Sequence, residues 1–212
     1  LIRTEERTIY RLAKGDQFYL LNFPGGFDTP GEFLTDAAAN EILYRPMPGE
    51  RIGKFRPIVP VLSRLLVIAG GAQGARVEHL RFEGITFAHT TWHFLDHPAE
   101  GESTLRQSGF GQAAVGLPAV IEADGLRHSS FIGCTVRNGG TYGIALRTGC
   151  SGNSIDRCRI SGLGGGGIMI GSTVLPQSDL EATSGNLVAN CDIGDLGLLF
   201  HSAVGIWIGQ SP

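Results

Sequence analysis

The sequence predicts an all-β chain wound as a right-handed parallel β-helix, a solenoid of about 24 residues per coil. Three observations predict it. A short apolar phrase returns as Ala119-Val120-Ile121-Glu122, Gly143-Ile144-Ala145-Leu146, Gly167-Ile168-Met169-Ile170 and Gly205-Ile206-Trp207-Ile208, at intervals of 24, 24 and 38 residues. A second phrase keeps the same beat. Phe131-Ile132-Gly133-Cys134-Thr135-Val136, Ile155-Asp156-Arg157-Cys158-Arg159-Ile160 and Val188-Ala189-Asn190-Cys191-Asp192-Ile193 superpose residue for residue, and Phe82-Glu83-Gly84-Ile85-Thr86-Phe87 fits with Ile in place of Cys. Finally, the 32 glycines follow no collagen period, so they read as the tight corners that short strands require. Each coil alone cannot bury an apolar face, and stacking gives it one.

In stacked coils one template position becomes a ladder of side chains about 4.8 Å apart along the axis. Ile144, Leu146, Ile168, Ile170, Ile206 and Ile208 are expected to point inward from the first phrase. Cys134, Cys158 and Cys191, with Val136, Ile160 and Ile193, do so from the second. Alternation then turns Ala145, Met169 and Trp207 outward, with Arg147 at the end of the same face. Asn153 and Asn186 share a turn column with Ser129 one coil earlier, where side-chain amides can bond from coil to coil. Glu122 takes the template position of Leu146 and Ile170. Either it is a buried carboxylate with a raised pKa, or its coil is shifted by one residue, and the shift is the favoured reading.

Residues 1–60 do not keep the beat. Phe18-Tyr19-Leu20-Leu21 and Glu41-Ile42-Leu43-Tyr44 read as strands beside the turns Pro24-Gly25-Gly26 and Thr29-Pro30-Gly31, giving a small β-rich segment packed on or inserted in the helix. Residues 61–212 hold the coils, which begin near Leu65-Leu66-Val67-Ile68. Excursions interrupt them at 92–118 and 172–185, and loops of such length are functional or disordered. The chain opens in mid-phrase at Leu1 and stops inside a repeat at Pro212, so it is expected to be a fragment lacking C-terminal coils.

A formal charge of −3 is too near neutral to suggest nucleic acid as a partner. No apolar run reaches 18 residues, so no membrane span is expected. Three of the four cysteines stand in one inward ladder, and Cys150 matches Leu126 one coil earlier. They read as small buried hydrophobes rather than disulfide partners, and no metal site is expected.

Several segments resemble a known group. Glu32-Phe33-Leu34 with Glu41-Ile42-Leu43-Tyr44-Arg45-Pro46 and Pro48-Gly49-Glu50 is similar to a segment of bacterial secreted β-helix proteins of the carbohydrate-active type. So are Phe82-Glu83-Gly84-Ile85-Thr86-Phe87-Ala88-His89-Thr90-Thr91-Trp92, Gly162-Leu163-Gly164-Gly165-Gly166-Gly167-Ile168 and Gly205-Ile206-Trp207-Ile208. The chain resembles the right-handed β-helix repeat proteins that include glycoside hydrolases of the α-fucosidase/xylanase kind. The resemblance implies a secreted or periplasmic enzyme, a polysaccharide or oligosaccharide substrate, no cofactor, and two carboxylates projecting from neighbouring coils. Family members often carry Asp after the second phrase, in I-x-D-x-G. Ile193-Gly194-Asp195-Leu196-Gly197 keeps it, and Ile160-Ser161-Gly162-Leu163-Gly164 does not. The second carboxylate is therefore expected beyond Pro212.

Glycoside hydrolysis needs one carboxyl group to protonate the leaving oxygen and another to attack or to activate water. Asp195 and His201 are the expected catalytic residues, and the other reading of Asp195 is a turn residue capping backbone amides. Trp207, Arg147, Met169, His89 and Asn138 are the expected substrate-binding residues, because a pyranose wants an aromatic face and polar groups at its rim. An outward Trp207 is either such a platform or covered by another segment, residues 1–60 for instance. His89, His93 and His97 surround Trp92 at the mouth of a loop. Two rivals stand beside the hydrolase. A polysaccharide lyase would need an acidic substrate, Ca²⁺ held by several carboxylates and a base such as Arg157 or Arg159. A β-helix that only binds glycans or serves as a structural stalk needs none of this.

Overall fold

The structure is a computed structural model that describes residues 13–15, 20, 22–36, 38–51, 53–54, 56–70, 75–92 and 112–211. The described residues fall into two units, one within Tyr10–Ile58 and one that starts at Val59. In the first, Phe33–Asp36 pairs antiparallel with Glu41–Tyr44. The Asn22 side chain acts as a further backbone rung, donating from Nδ2 to Thr35 O at 2.9 Å and accepting from Thr35 N at 2.6 Å. Most of the expected strand 18–21 lies outside the described residues.

The second unit is a parallel β-helix of three main sheets, with a two-stranded parallel sheet of Val77–Glu78 and Leu126–Arg127 beside them. The first sheet holds Leu66–Ala69, Ala119–Asp124, Tyr142–Leu146, Ile168–Gly171 and Ile206–Gly209. The second holds Arg81–Glu83, Ser130–Ile132, Ser154–Asp156 and Leu187–Ala189, and the third Thr86–Ala88, Thr135–Gly139, Arg159–Leu163 and Asp192–Ile193. The second sequence phrase is thus two strands with a corner between them. Gly84, Gly133, Arg157 and Asn190 form that corner with φ from 53° to 64°, a left-handed turn that Gly and Asn tolerate best.

Register follows the repeat. Ile144 pairs with Ile168, which pairs with Ile206, and Val136 pairs with Ile160, which pairs with Ile193. Inside the solenoid, Ile121, Ile144, Ile168, Phe131, Ile155, Val136 and Ile160 form one core at 0% exposure. Ile206 and Ile208 continue the inward ladder but are 45% and 64% exposed, since theirs is the edge strand of the sheet. On the N-terminal side of this ladder Ile144 stands opposite Ile121 and Ala145 opposite Glu122. The one-residue shift is therefore real, and Glu122 lies on the outward face.

Two ladders tie the coils together. The Asn153 side chain, 1% exposed, accepts from Ser129 N at 3.0 Å and donates from Nδ2 to Leu126 O at 2.8 Å and to Asn186 Oδ1 at 2.9 Å. Asn186 Nδ2 continues to Cys150 O at 2.9 Å. Cys134, Cys158 and Cys191 stack as free thiols, the first two buried and the third half-buried. Burial pushes the Cys150 and Cys158 thiols up to about 11.

Two outcomes are expected. Asn153→Ala strands the buried Ser129 N–H, while Leu126 O keeps its bond from Ser151 N, and should lower stability by about 1–3 kcal/mol in urea denaturation. Because the Cys150 and Cys158 values are raised, the stability they contribute is complete below the ordinary thiol value of 9.0 and is lost as pH climbs from there through about 11. Since Cys134, Cys150 and Cys158 are buried and Cys191 is only half-buried, a disulfide reagent at pH near 8 should reach Cys191 alone in the native protein. Labelling of Cys134 or Cys158 without denaturant would contradict the ladder.

Candidate functional site

The outward face of the first sheet carries two columns of side chains. One reads Val67, Glu122, Ala145, Met169 and Trp207. The other reads Ala69, Asp124, Gly171 and Gly209, with Arg147 following Leu146 at its middle coil. What happens to this face depends on the corners that lead into it. Two of them are short and glycine-rich, Gly139-Gly140-Thr141 and Gly164-Gly165-Gly166-Gly167. A Cβ at Gly164 would run into Gly140 O, and one at Gly166 into the Tyr142 ring. The flanking corners are long, and their ends, 112–118 and 198–204, fold back over the short ones.

The two folded ends meet at a parallel bridge between Ala113 and Ala203. Under them lies a second apolar cluster, outside the solenoid, of Leu117, Tyr142, Ala145, Met169 and Phe200. The Tyr142 hydroxyl fastens the pair, donating to Ala113 O and accepting from Val204 N at 3.4 Å. Burial pushes this phenol above its usual value. Met169 is consequently 1% exposed. The expectation of Met169 as a surface on which substrate rests is corrected: an apolar outward pair, Ala145 and Met169, has been covered by loops from both sides. Trp207 is half-buried against the same cluster, its ring drawn over Gly209.

Among the described residues, only the N-terminal part of this face stays open. There Val67 is 55% exposed, and the side chains of Arg64, Arg147 and Glu122 are 48%, 25% and 13% exposed. Arg147 donates from Nε to Glu122 Oε1 at 2.6 Å and from Nη2 to Leu117 O at 2.9 Å, so it holds both the carboxylate and the covering loop. Arg64 Nη1 reaches Glu122 Oε2 at 3.5 Å. Two residues along the same strand, Asp124 Oδ1 accepts from Thr148 N at 3.1 Å. The excursion that follows Gly171 borders the patch, with Thr183 Oγ1 donating to Arg147 O and Gly149 N donating to Glu181 O at 2.8 Å.

The other expected residues stand elsewhere. His89, Asn138, Gly162 and Asp195 do share one corner column, after the third strand, with φ of 68°, 52°, 63° and 52°. The left-handed backbone there by itself accounts for Asn, Gly and Asp at this position. Asn138 Oδ1 and Asp195 Oδ2 lean over Gly162, 3.2 and 3.8 Å from where its Cβ would stand. His201 is exposed on the loop that covers the first sheet. His93 and His97 lie outside the described residues. Arg157 pairs with Asp156 at 2.8 Å and Arg159 with Asp192 at 3.0 Å, both away from the first sheet. Sequence reasoning put Arg147 on this face but did not set Glu122 and Asp124 beside it. The signal was present, since the one-residue shift sends both acids outward beside Arg147.

The profile of the family described as right-handed β-helix region matches residues 116–212. A solved structure of a glycoside hydrolase superposes with a TM-score of 0.71 at 20% identity, covering 86% of this chain and 36% of its own. This chain therefore spans about a third of that protein's length, and the likeness establishes the right-handed parallel β-helix. No curated protein matches the sequence. Among the described residues no helix is long and apolar enough to cross a membrane.

Tyr142→Phe removes the fastening between the two covering loops. It should cost about 1–3 kcal/mol and raise amide exchange in 112–118 and 198–204 while the inward ladders of the first sheet stay protected. Unchanged exchange in both loops would show that the apolar cluster and the Ala113–Ala203 bridge hold them without the hydroxyl.

Proposed function

We propose that this right-handed parallel β-helix is the coil-forming part of an exported glycoside hydrolase, and that its glycan rests on the open patch of the first sheet. The observation that carries the reading is the patch itself, where carboxylates and guanidinia crowd a stretch of sheet that none of the described loops covers. Sugar hydroxyls suit such groups, which donate and accept along fixed directions. The superposable glycoside hydrolase supports the same chemistry, and Asp195 stands apart from this patch, on the coil that leads to Ile206–Gly209.

A second reading, glycan binding without turnover, draws on one observation. Both Glu122 oxygens and one Asp124 oxygen already accept hydrogen bonds from the protein. The two readings separate in one assay. Incubation with a panel of neutral and acidic polysaccharides should release reducing ends. Binding without release favours the second reading, and ultraviolet absorbance of unsaturated uronides would indicate a lyase instead.

Arg147→Ala should weaken oligosaccharide binding by about tenfold to a hundredfold, since it removes a hydrogen bond from a charged donor. Arg147→Lys, which keeps the charge but loses the forked donor, should fall between. Calorimetric titration with thermal unfolding alongside checks this, and unaltered affinity in Arg147→Ala would take the glycan off the patch.

A further inference from the structure

We infer that residues 112–117 form a latched strap that swings off the first sheet in the folded protein, and that Arg147 is the latch through which the open patch controls it. The opening itself does not depend on what the patch binds. The use of the uncovered floor by a glycan rests on the function proposed above.

The strap is a small unit of its own. Leu117 N donates to Ala114 O at 3.2 Å, so the turn carries its own hydrogen bond with it when it moves. Where the strap ends, Tyr142 N donates to Pro118 O at 3.2 Å and Ala119 pairs with Tyr142, which places the pivot at Pro118. The strap is also held in a costly shape. Ala113 and Ala114 are consecutive left-handed residues, with φ of 59° and 48°. Everywhere else among the described residues, such positions belong to glycine or to Asn, Asp, His, Arg and Gln. Asn and Asp offset the backbone cost with local hydrogen bonds, whereas a methyl group offers none, so contacts with the sheet must hold this shape.

Those contacts lie below and beside the strap. Below, Ala114 and Leu117 are at 0% exposure in the cluster that also buries Ala145 and Met169. Beside it, the Tyr142 hydroxyl donates to Ala113 O, Arg147 Nη2 donates to Leu117 O at 2.9 Å, and Ala113 bridges to Ala203. Arg147 differs from the other ties. Its Nε is on Glu122 Oε1 at 2.6 Å, and its side chain is 25% exposed at the edge of the patch. A ligand oxygen that accepts from Nη2 takes the donor that Leu117 O uses. Occupation of the patch and release of the strap are then linked, and each favours the other. Release uncovers Ala145 and Met169, which continue the column of Glu122 along the same face. An apolar floor beside a charged rim suits the apolar face and the hydroxyl edge of a pyranose.

Met169 reports on the strap directly. The chain has two methionines, and Met47 is 47% exposed whereas Met169 is 1% exposed. In dilute hydrogen peroxide without denaturant, peptide mass spectrometry follows sulfoxide formation at both. Met169 should oxidise more slowly than Met47, and Arg147→Ala should speed it by about tenfold or more, the effect of losing a bond from a charged donor, with Met47 unchanged. Ala113→Cys with Ala203→Cys puts sulfurs on bridge partners about 4.8 Å apart, within disulfide reach. The disulfide form should shield Met169 and reduction should restore its rate, a reversal that general destabilisation does not produce. The inference is overturned by a Met169 rate that the disulfide leaves unchanged, by a parental rate in Arg147→Ala, or by oxidation that begins only where urea unfolds the coils. A parent that binds no glycan of the panel while Met169 behaves as expected overturns the proposed function and leaves the strap standing.

Discussion

Everything in this molecule depends on coils that hydrogen-bond in register to the coils on either side. A single coil of about 24 residues has no interior of its own, so its apolar residues are buried only when identical positions stack. The structure enforces this twice over. Parallel ladders run through all three sheets, and the Asn153–Asn186 amides repeat the linkage at a corner where no strand exists. A corner residue in the left-handed region stands at each bend, which is why Gly, Asn and Asp recur at positions that pattern alone would leave free.

The fold was legible in the sequence because stacking makes chemistry periodic. Ile144, Ile168 and Ile206 occur on one beat, as do Cys134, Cys158 and Cys191, and each set proves to be one column. The corner inside the second phrase was less visible. A single left-handed residue turns the chain so that inward positions run Phe131, Cys134, Val136 instead of alternating strictly, and a short apolar run conceals such a bend. Glu122 shows the value of a misfit. A carboxylate on an apolar template position points to a displaced register, and Ile121 opposite Ile144 is that displacement.

The site was less legible, for a different physical reason. The loops that decide which part of the outward face meets solvent have no period. A Trp207 covered by another segment is one of two readings of the sequence, and the repeat does not say which segment. Segments 112–118 and 198–204 lie over this face, held at Tyr142 and at the Ala113–Ala203 bridge. Nothing in the repeat fixes where such segments settle. Their landing place is set by the small residues beneath, because Gly164 and Gly166 leave no Cβ between the loop and the sheet. The apolar outward residues Ala145 and Met169 are what the loops bury, and the polar end of the column is what they leave.

A solenoid offers only a few separations between functional groups. Equivalent positions one coil apart are about 4.8 Å apart and two coils apart about 9.6 Å, whereas alternate residues of one strand stand about 6.6 Å apart. The first two distances depend on stacking register, which this chain alters by one residue between the coils of Ile121 and Ile144. The third is set by the covalent chain and survives any such shift, since both residues move together. Two alternate residues of one strand therefore keep their backbone spacing and their shared face in a fold whose coils slip, and Glu122 with Asp124 lies on a strand where slipping has taken place. Arg147, reaching across from the next coil to Glu122 and Leu117, then supplies what the strand alone cannot, a fixed direction for one carboxylate of the pair.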